Sequence, residues 1–186
     1  MMNRVRLIYQ LLILVFALAI SANHTAAQNN PDKKIRVTAT SQSKSVQTDP
    51  PPRWGTTAYI EKEVFKLINS EREKQGLKPL VWNDRIANIA RQHCRNMAEQ
   101  HLFSHQEKDG SIVSNRADKA NIKWISIAEN IVRFIEAPDP ASYATERWMA
   151  SPPHKVNILT KGWKQTGIGA IVAPDGFYYV TQVFLY

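Results

Sequence analysis

The chain holds 186 residues, 44% of them hydrophobic, with five Trp, six Tyr and six Phe, enough apolar material for one packed domain with segments to spare. Its formal charge of +8 would suit a nucleic-acid partner, but 17 Lys/Arg face 14 Asp/Glu from Thr56 onward, so +5 of the excess lies in the first 55 residues. No nucleic-acid motif accompanies it, and no specific nucleic-acid partner is expected; the single cysteine, Cys94, excludes an intramolecular disulfide and a multi-cysteine metal site.

The chain opens with Arg4 and Arg6 and no acid, followed by an apolar run from Leu7 to Ile20 and small residues at Thr25-Ala26-Ala27. A charged start, a short apolar middle and a small-residue end predict a secretory signal peptide over residues 1–27. The run is shorter than the roughly 20 residues that span a bilayer; the alternative is an uncleaved N-terminal anchor. Residues 28–55 are rich in Ser, Thr, Gln, Lys and Pro and end in Pro50-Pro51-Pro52, which predicts a disordered, basic linker. Such a tail attracts anionic surfaces weakly. The domain is expected over residues 56–186.

Ile60, Val64, Leu67 and Ile68 recur at helical spacing, and Gly76 supplies a left-handed stop. After the turn at Lys78-Pro79 comes a short apolar stretch, Leu80-Val81-Trp82. Asn83 or Asp84 can cap a second helix, with Ile86, Ile89, Ala90, His93, Cys94 and Met97 on one face. That placement makes His93 and Cys94 packing residues. A loop is expected from His101 to about Asn121, then an extended segment over Ile122 to Ile131. Asp139-Pro140 starts a third helix that stops before Pro152-Pro153, and His154 to Leu159 reads as one further turn. Gly167 to Val172 and Phe177 to Leu185 flank Ala173-Pro174-Asp175-Gly176, a hairpin signal. The pattern predicts an α+β domain with helices packed on an antiparallel sheet.

Seven fragments occur in an order that resembles the CAP (SCP-like) superfamily in its compact bacterial form. They are Leu67-Ile68-Asn69 with Glu71-Arg72, Leu80-Val81-Trp82 with Ala90, Phe103-Ser104-His105, Glu129-Asn130-Ile131, Trp148-Met149-Ala150-Ser151-Pro152, His154 with Asn157-Ile158-Leu159, and Gly167-Ile168-Gly169. The resemblance implies a three-layer α-β-α sandwich with a small antiparallel sheet, a secreted or envelope location, and a surface cleft lined in the wider family by two His and two Glu. His105, Glu129 and His154 match three of the four positions; Ser151 stands where the second Glu is expected, and Ala128 replaces the glycine that commonly precedes the Glu-Asn pair.

Several chemistries are open to two imidazoles and one carboxylate. His105, His154 and Glu129, with a water, would make a four-coordinate zinc site, Glu129 acting as third ligand or as orienter of a histidine, and such a site could also activate the water for hydrolysis of an extracellular substrate. Without metal, Glu129 could orient a histidine base for hydrolysis, although neither Ser104 nor Ser151 lies in a nucleophile elbow. A binding module would instead hold an extracellular peptide, glycan or lipid, with Asn130 and Ser151 among the polar groups of the cleft. A purely structural alternative has His105, Glu129 and His154 bonding one another to fix loops. The absent second Glu favours binding over enzymatic turnover. Arg116 is expected to pin the loop after His105.

Overall fold

The computed structural model describes residues 56–186; the expected signal peptide and linker lie outside the described residues. Five helices and four strands follow in the order α1 (Thr57–Lys74), β1 (Val81–Trp82), α2 (Asp84–Glu99), α3 (Val113–Lys119), β2 (Ile127–Ile135), α4 (Pro140–Ala150), α5 (Pro152–Leu159), β3 (Gln165–Val172) and β4 (Phe177–Leu185).

Local chemistry starts each main helix. Thr56, Asn83 and Asp139 cap α1, α2 and α4 by accepting from backbone N–H groups of the first turn, and Pro140 opens α4 where no N–H is needed. Gly76, at φ +66°, carries the chain out of α1.

The sheet runs β1-β3-β4-β2. The three long strands are antiparallel, with Glu129 opposite Val183 and Ile168 opposite Gln182. β1 adds a two-residue parallel edge to β3, which the antiparallel expectation did not include. Side-chain alternation divides the sheet into two faces. Ile168, Ala170, Val180, Phe184 and Phe134 pack with Ile60, Val64 and Ile68 of α1, Trp148 of α4 and Ile158 of α5. On the reverse face Val183 and Leu185 meet Ile86, Ile89 and Ala90 of α2 and Ala117 of α3, while Tyr179 and Ile131 meet Cys94 and Met97 of α2. The result is the three-layer α-β-α sandwich that the resemblance implied.

Two polar devices hold the layers at their margins. The buried Arg72 guanidinium of α1 donates to the Ile158 and Thr160 carbonyls at the end of α5 and to Lys78 O. Glu61 of α1 accepts from Ala170 N–H on β3, beyond the reach of β1, and is paired with Arg91 of α2 at 2.6 Å. A β3 edge group that no strand covers is thus satisfied by a side chain.

Two expectations differ from the structure. The loop expected from His101 to Asn121 contains α3, and the extended segment expected from Ile122 becomes a strand only at Ile127. Only Arg116 and Ala117 of α3 are buried, so no apolar period marks the helix. Trp124 and Ile125 are exposed, and the chain there turns to pair with the C-terminal Tyr186.

Candidate functional site

Strand β2 sets the site. Glu129 and Asn130 are neighbours, so the pleat sends their side chains to opposite faces of the sheet. Glu129 enters the α2/α3 side, where its carboxylate is 2% exposed. Its Oε2 accepts a short hydrogen bond from Arg116 Nη2 of α3, and its Oε1 accepts from His105 Nδ1–H at 2.9 Å. Arg116 Nη1 also donates to the His105 carbonyl at 3.2 Å, so one guanidinium holds both the carboxylate and the loop, as expected of Arg116.

The His105 side chain is 52% exposed. With Nδ1–H donated to a carboxylate, the other ring nitrogen, Nε2, is the one left for a ligand. Asn130, on the other face, donates from Nδ2 to the His154 carbonyl at 3.0 Å and accepts from Asn157 Nδ2 at 2.8 Å. It thereby seats the first turn of α5 against β2. His154 Nδ1 is hydrogen bonded to Ser151 Oγ at 2.8 Å. The hydroxyl at the position where the family's second Glu is expected therefore contacts the second histidine.

His105, Ser151 and His154 line one cleft of about 640 Å³, together with Phe103, Arg133 and Tyr143. Glu129 stands behind its wall. Burial, and then the charge of His105, lower the His154 pKa below the usual imidazole value. Neither histidine Nε2 has a hydrogen-bond partner among the described residues. Among the described residues no group of three or more His, Cys, Asp and Glu side chains is arranged to hold a metal ion. Glu129 already has one oxygen on Arg116 and the other on His105, the position of an orienter.

Sequence reasoning missed the inner half of this network. His93 is fully buried on the apolar face of α2, but it does more than pack. Its Nδ1 is 2.7 Å from Glu107 Oε1, and its Nε2 is 3.7 Å from Glu129 Oε1. Arg116 Nη1 lies 3.5 Å from the same Glu107 oxygen. The signal was available: a buried ring nitrogen needs a partner, and an apolar helix face cannot supply one. Cys94, by contrast, is the buried packing residue expected, with its Sγ near Gly169 O and Thr181 Oγ1 and its thiol pKa pushed up to about 12 by burial.

The chain resembles known proteins over most of the described region. The sequence model of the cysteine-rich secretory protein family (CAP) matches residues 65–184. The Bacillus subtilis (strain 168) protein YkwD is 31% identical over 146 residues, covering 78% of this chain and 54% of YkwD, so the chain spans about half the length of that relative. Among solved structures, an extracellular protein containing an SCP domain from Bacillus anthracis is 25% identical at a TM-score of 0.59, covering 69% of this chain and 41% of that one. An outer surface protein of Borrelia burgdorferi superposes at a TM-score of 0.61 with 19% identity, covering 67% of this chain and 90% of that one, a likeness of fold. With the sandwich, the ordered motifs and the matching family model in agreement, the chain belongs to the cysteine-rich secretory protein (CAP) family, although it carries a single cysteine.

Proposed function

We propose that this CAP domain is an exported binding module, acting outside the cell or at its envelope, whose cleft takes an extracellular ligand at His105 and His154. Its N-terminal sequence and the extracellular and outer-surface descriptions of two structural relatives support that location. The observation that carries the site is the pairing of two histidines in one cleft, each tied at Nδ1 by a partner of its own, Glu129 and Ser151. Rings fixed in this way are prepared to act through Nε2.

A divalent ion such as zinc fits this donor set in part. His105 and His154 would supply two nitrogens, Glu129 and Ser151 would orient them, and no third ligand of the usual types joins them among the described residues. When bound, the ion would offer open positions to an oxygen of the extracellular ligand, whether peptide, glycan or lipid. Zinc titration of thermal unfolding tests this. Zinc should raise the melting temperature of the native chain, and His105→Ala with His154→Ala should abolish the rise. An unchanged melting curve at saturating zinc would remove the metal from the proposal.

A hydrolase is the second reading, favoured only by the 2.8 Å contact between Ser151 Oγ and His154 Nδ1. A fluorophosphonate probe would label Ser151 if the hydroxyl were an activated nucleophile, and absence of labelling would remove this reading.

A further inference from the structure

A second cavity, of about 550 Å³, lies between α2, α3 and the loop that joins them. Its volume is that of a small-ligand site, roughly 300–1,000 Å³. Ile89, Gln92, Asn96 and Gln100 form one wall, spaced three, four and four residues apart, so they make a single stripe along α2 and the residue that caps its C-terminus. Ala120, at the end of α3, adds a second small apolar surface.

The charges of this cavity are mostly spent on one another. Lys119 Nζ meets Asp109 Oδ2 at 2.9 Å. Arg116 is held by Glu129 and lies near Glu107, which is itself bonded to His93. What remains for a ligand is chiefly amide chemistry. Gln92 Nε2 donates to Asn96 Oδ1 at 2.8 Å, which leaves the Asn96 amide N–H₂ without a partner among the described residues. The Oε1 of Gln100 is buried and has no hydrogen-bond partner among the described residues. The wall therefore offers donors and acceptors side by side over an apolar floor; of its ionic side chains only the exposed Lys108 has no ion pair among the described residues.

We infer that this cavity is a carbohydrate-binding site, separate from the histidine cleft, in which the Gln92–Asn96–Gln100 stripe bonds the hydroxyls of a neutral sugar. A hydroxyl both donates and accepts, so sugar hydroxyls can accept from the Asn96 N–H₂ and donate to Gln100 Oε1. The oxygens of Gln92 and Asn96 already accept from Arg95 Nη2 and Gln92 Nε2, each at 2.8 Å. The C–H face of a sugar ring matches Ile89 and Ala120. The buried charges here are matched, so a bound cation would find no unpaired carboxylate and a bound anion only the exposed, solvated Lys108. An extended peptide would ordinarily add to a free sheet edge, and this cavity is bounded by two helices and a loop.

The test is a titration of the ¹⁵N-labelled full chain with chitotriose, cellotriose and mannotriose, followed by the side-chain amide signals of Gln92, Asn96 and Gln100. At least one sugar should shift these signals saturably in the millimolar range or tighter. Gln92→Ala with Asn96→Ala should weaken that binding ten-fold or more, while His105→Ala with His154→Ala leaves it unchanged. Alanine at the exposed Gln92 and the half-buried Asn96 favours the helix, so the variant should fold. The isosteric pair Gln92→Glu and Asn96→Asp, which removes the amide donors while keeping side-chain volume, should weaken binding as well. Saturating sugar without a shift at these amides, or shifts that disappear only with the histidine variant, would overturn the inference.

Discussion

Gly169 of β3 and Arg91 of α2 stand backbone to backbone: a Cβ built on Gly169 would fall 2.2 Å from the Arg91 amide nitrogen. Gly167 stands in the same relation to Ala87, with its Cβ 2.1 Å from that amide nitrogen. Neighbours of this kind are main chain and cannot turn aside. The two glycines let α2 lie directly on the sheet, and so set the depth at which His93 reaches Glu129. Gly169→Ala should destabilise the fold by about 3 kcal/mol, at the upper end of ordinary overpacking costs. Urea denaturation measures this, and a loss under about 1 kcal/mol would mean that the helix can lift without penalty.

Glu129 and Arg116 form a buried pair, and without Glu129 the guanidinium keeps only its longer 3.5 Å ion pair to Glu107 and the His105 carbonyl. Glu129→Gln should lose about 3 kcal/mol in the same measurement. The double variant Glu129→Gln with Arg116→Met should recover part of that loss, because the guanidinium no longer lies beside a neutral amide, while Glu107 keeps its bond to His93. Additive losses in the double variant would show that the two side chains act independently.

Ser151→Ala separates orientation from stability. The lost hydrogen bond to His154 should change stability by only about 1 kcal/mol. Zinc affinity, if the cleft takes zinc, should fall roughly 10-fold or more, as for other groups that orient a ligating histidine. Calorimetric zinc titration beside a melting curve reads both, and an unaltered affinity would show that the hydroxyl does not set the ring.

His154 should titrate below the ordinary imidazole value of 6.5, because burial and then the His105 charge disfavour its cation. The unfolded chain takes up this proton first as pH falls. The contribution to stability is therefore whole above about pH 6.5 and is lost below it, towards the folded midpoint. The Cε1–H signal of His154 followed by NMR gives that midpoint. His105→Ala should move it upward part of the way, leaving the share due to burial, and a midpoint above 6.5 in the native chain would contradict the assigned cause.

Cys94 should resist thiol reagents until the chain unfolds. Its sulfur is fully buried and its pKa is pushed up to about 12, so the thiolate is scarce at neutral pH. Reaction with Ellman's reagent should track the urea transition, and rapid labelling in buffer would show local opening of α2.

The larger elements were legible because their signals are local. Asp139-Pro140 announces α4, the Ile60–Val64–Ile68 spacing announces α1, and the Ala173–Gly176 turn announces the hairpin. Helix α3 was not legible, since seven residues with two buried side chains leave no period, and Ile112 N–H is taken by the Asn115 side chain, a weak start signal. Within the site, the motifs placed His105, Glu129 and His154 in order but said nothing of partners. Glu107 and His93 are 14 residues apart, and His93 and Glu129 are 36 apart. Such contacts depend on how α2 and the following loop settle on β2, which pattern along the chain does not encode.

The adjacency of Glu129 and Asn130 makes the cleft sensitive to parity. A single residue inserted in β2 ahead of them would invert the strand, turning the acid toward Trp148 and Ile158 and the amide toward Arg116. Both helical layers would lose their tie in one event. A pair insertion would keep the faces and only slide the tie along the strand, so length variation near this dipeptide should be tolerated in twos.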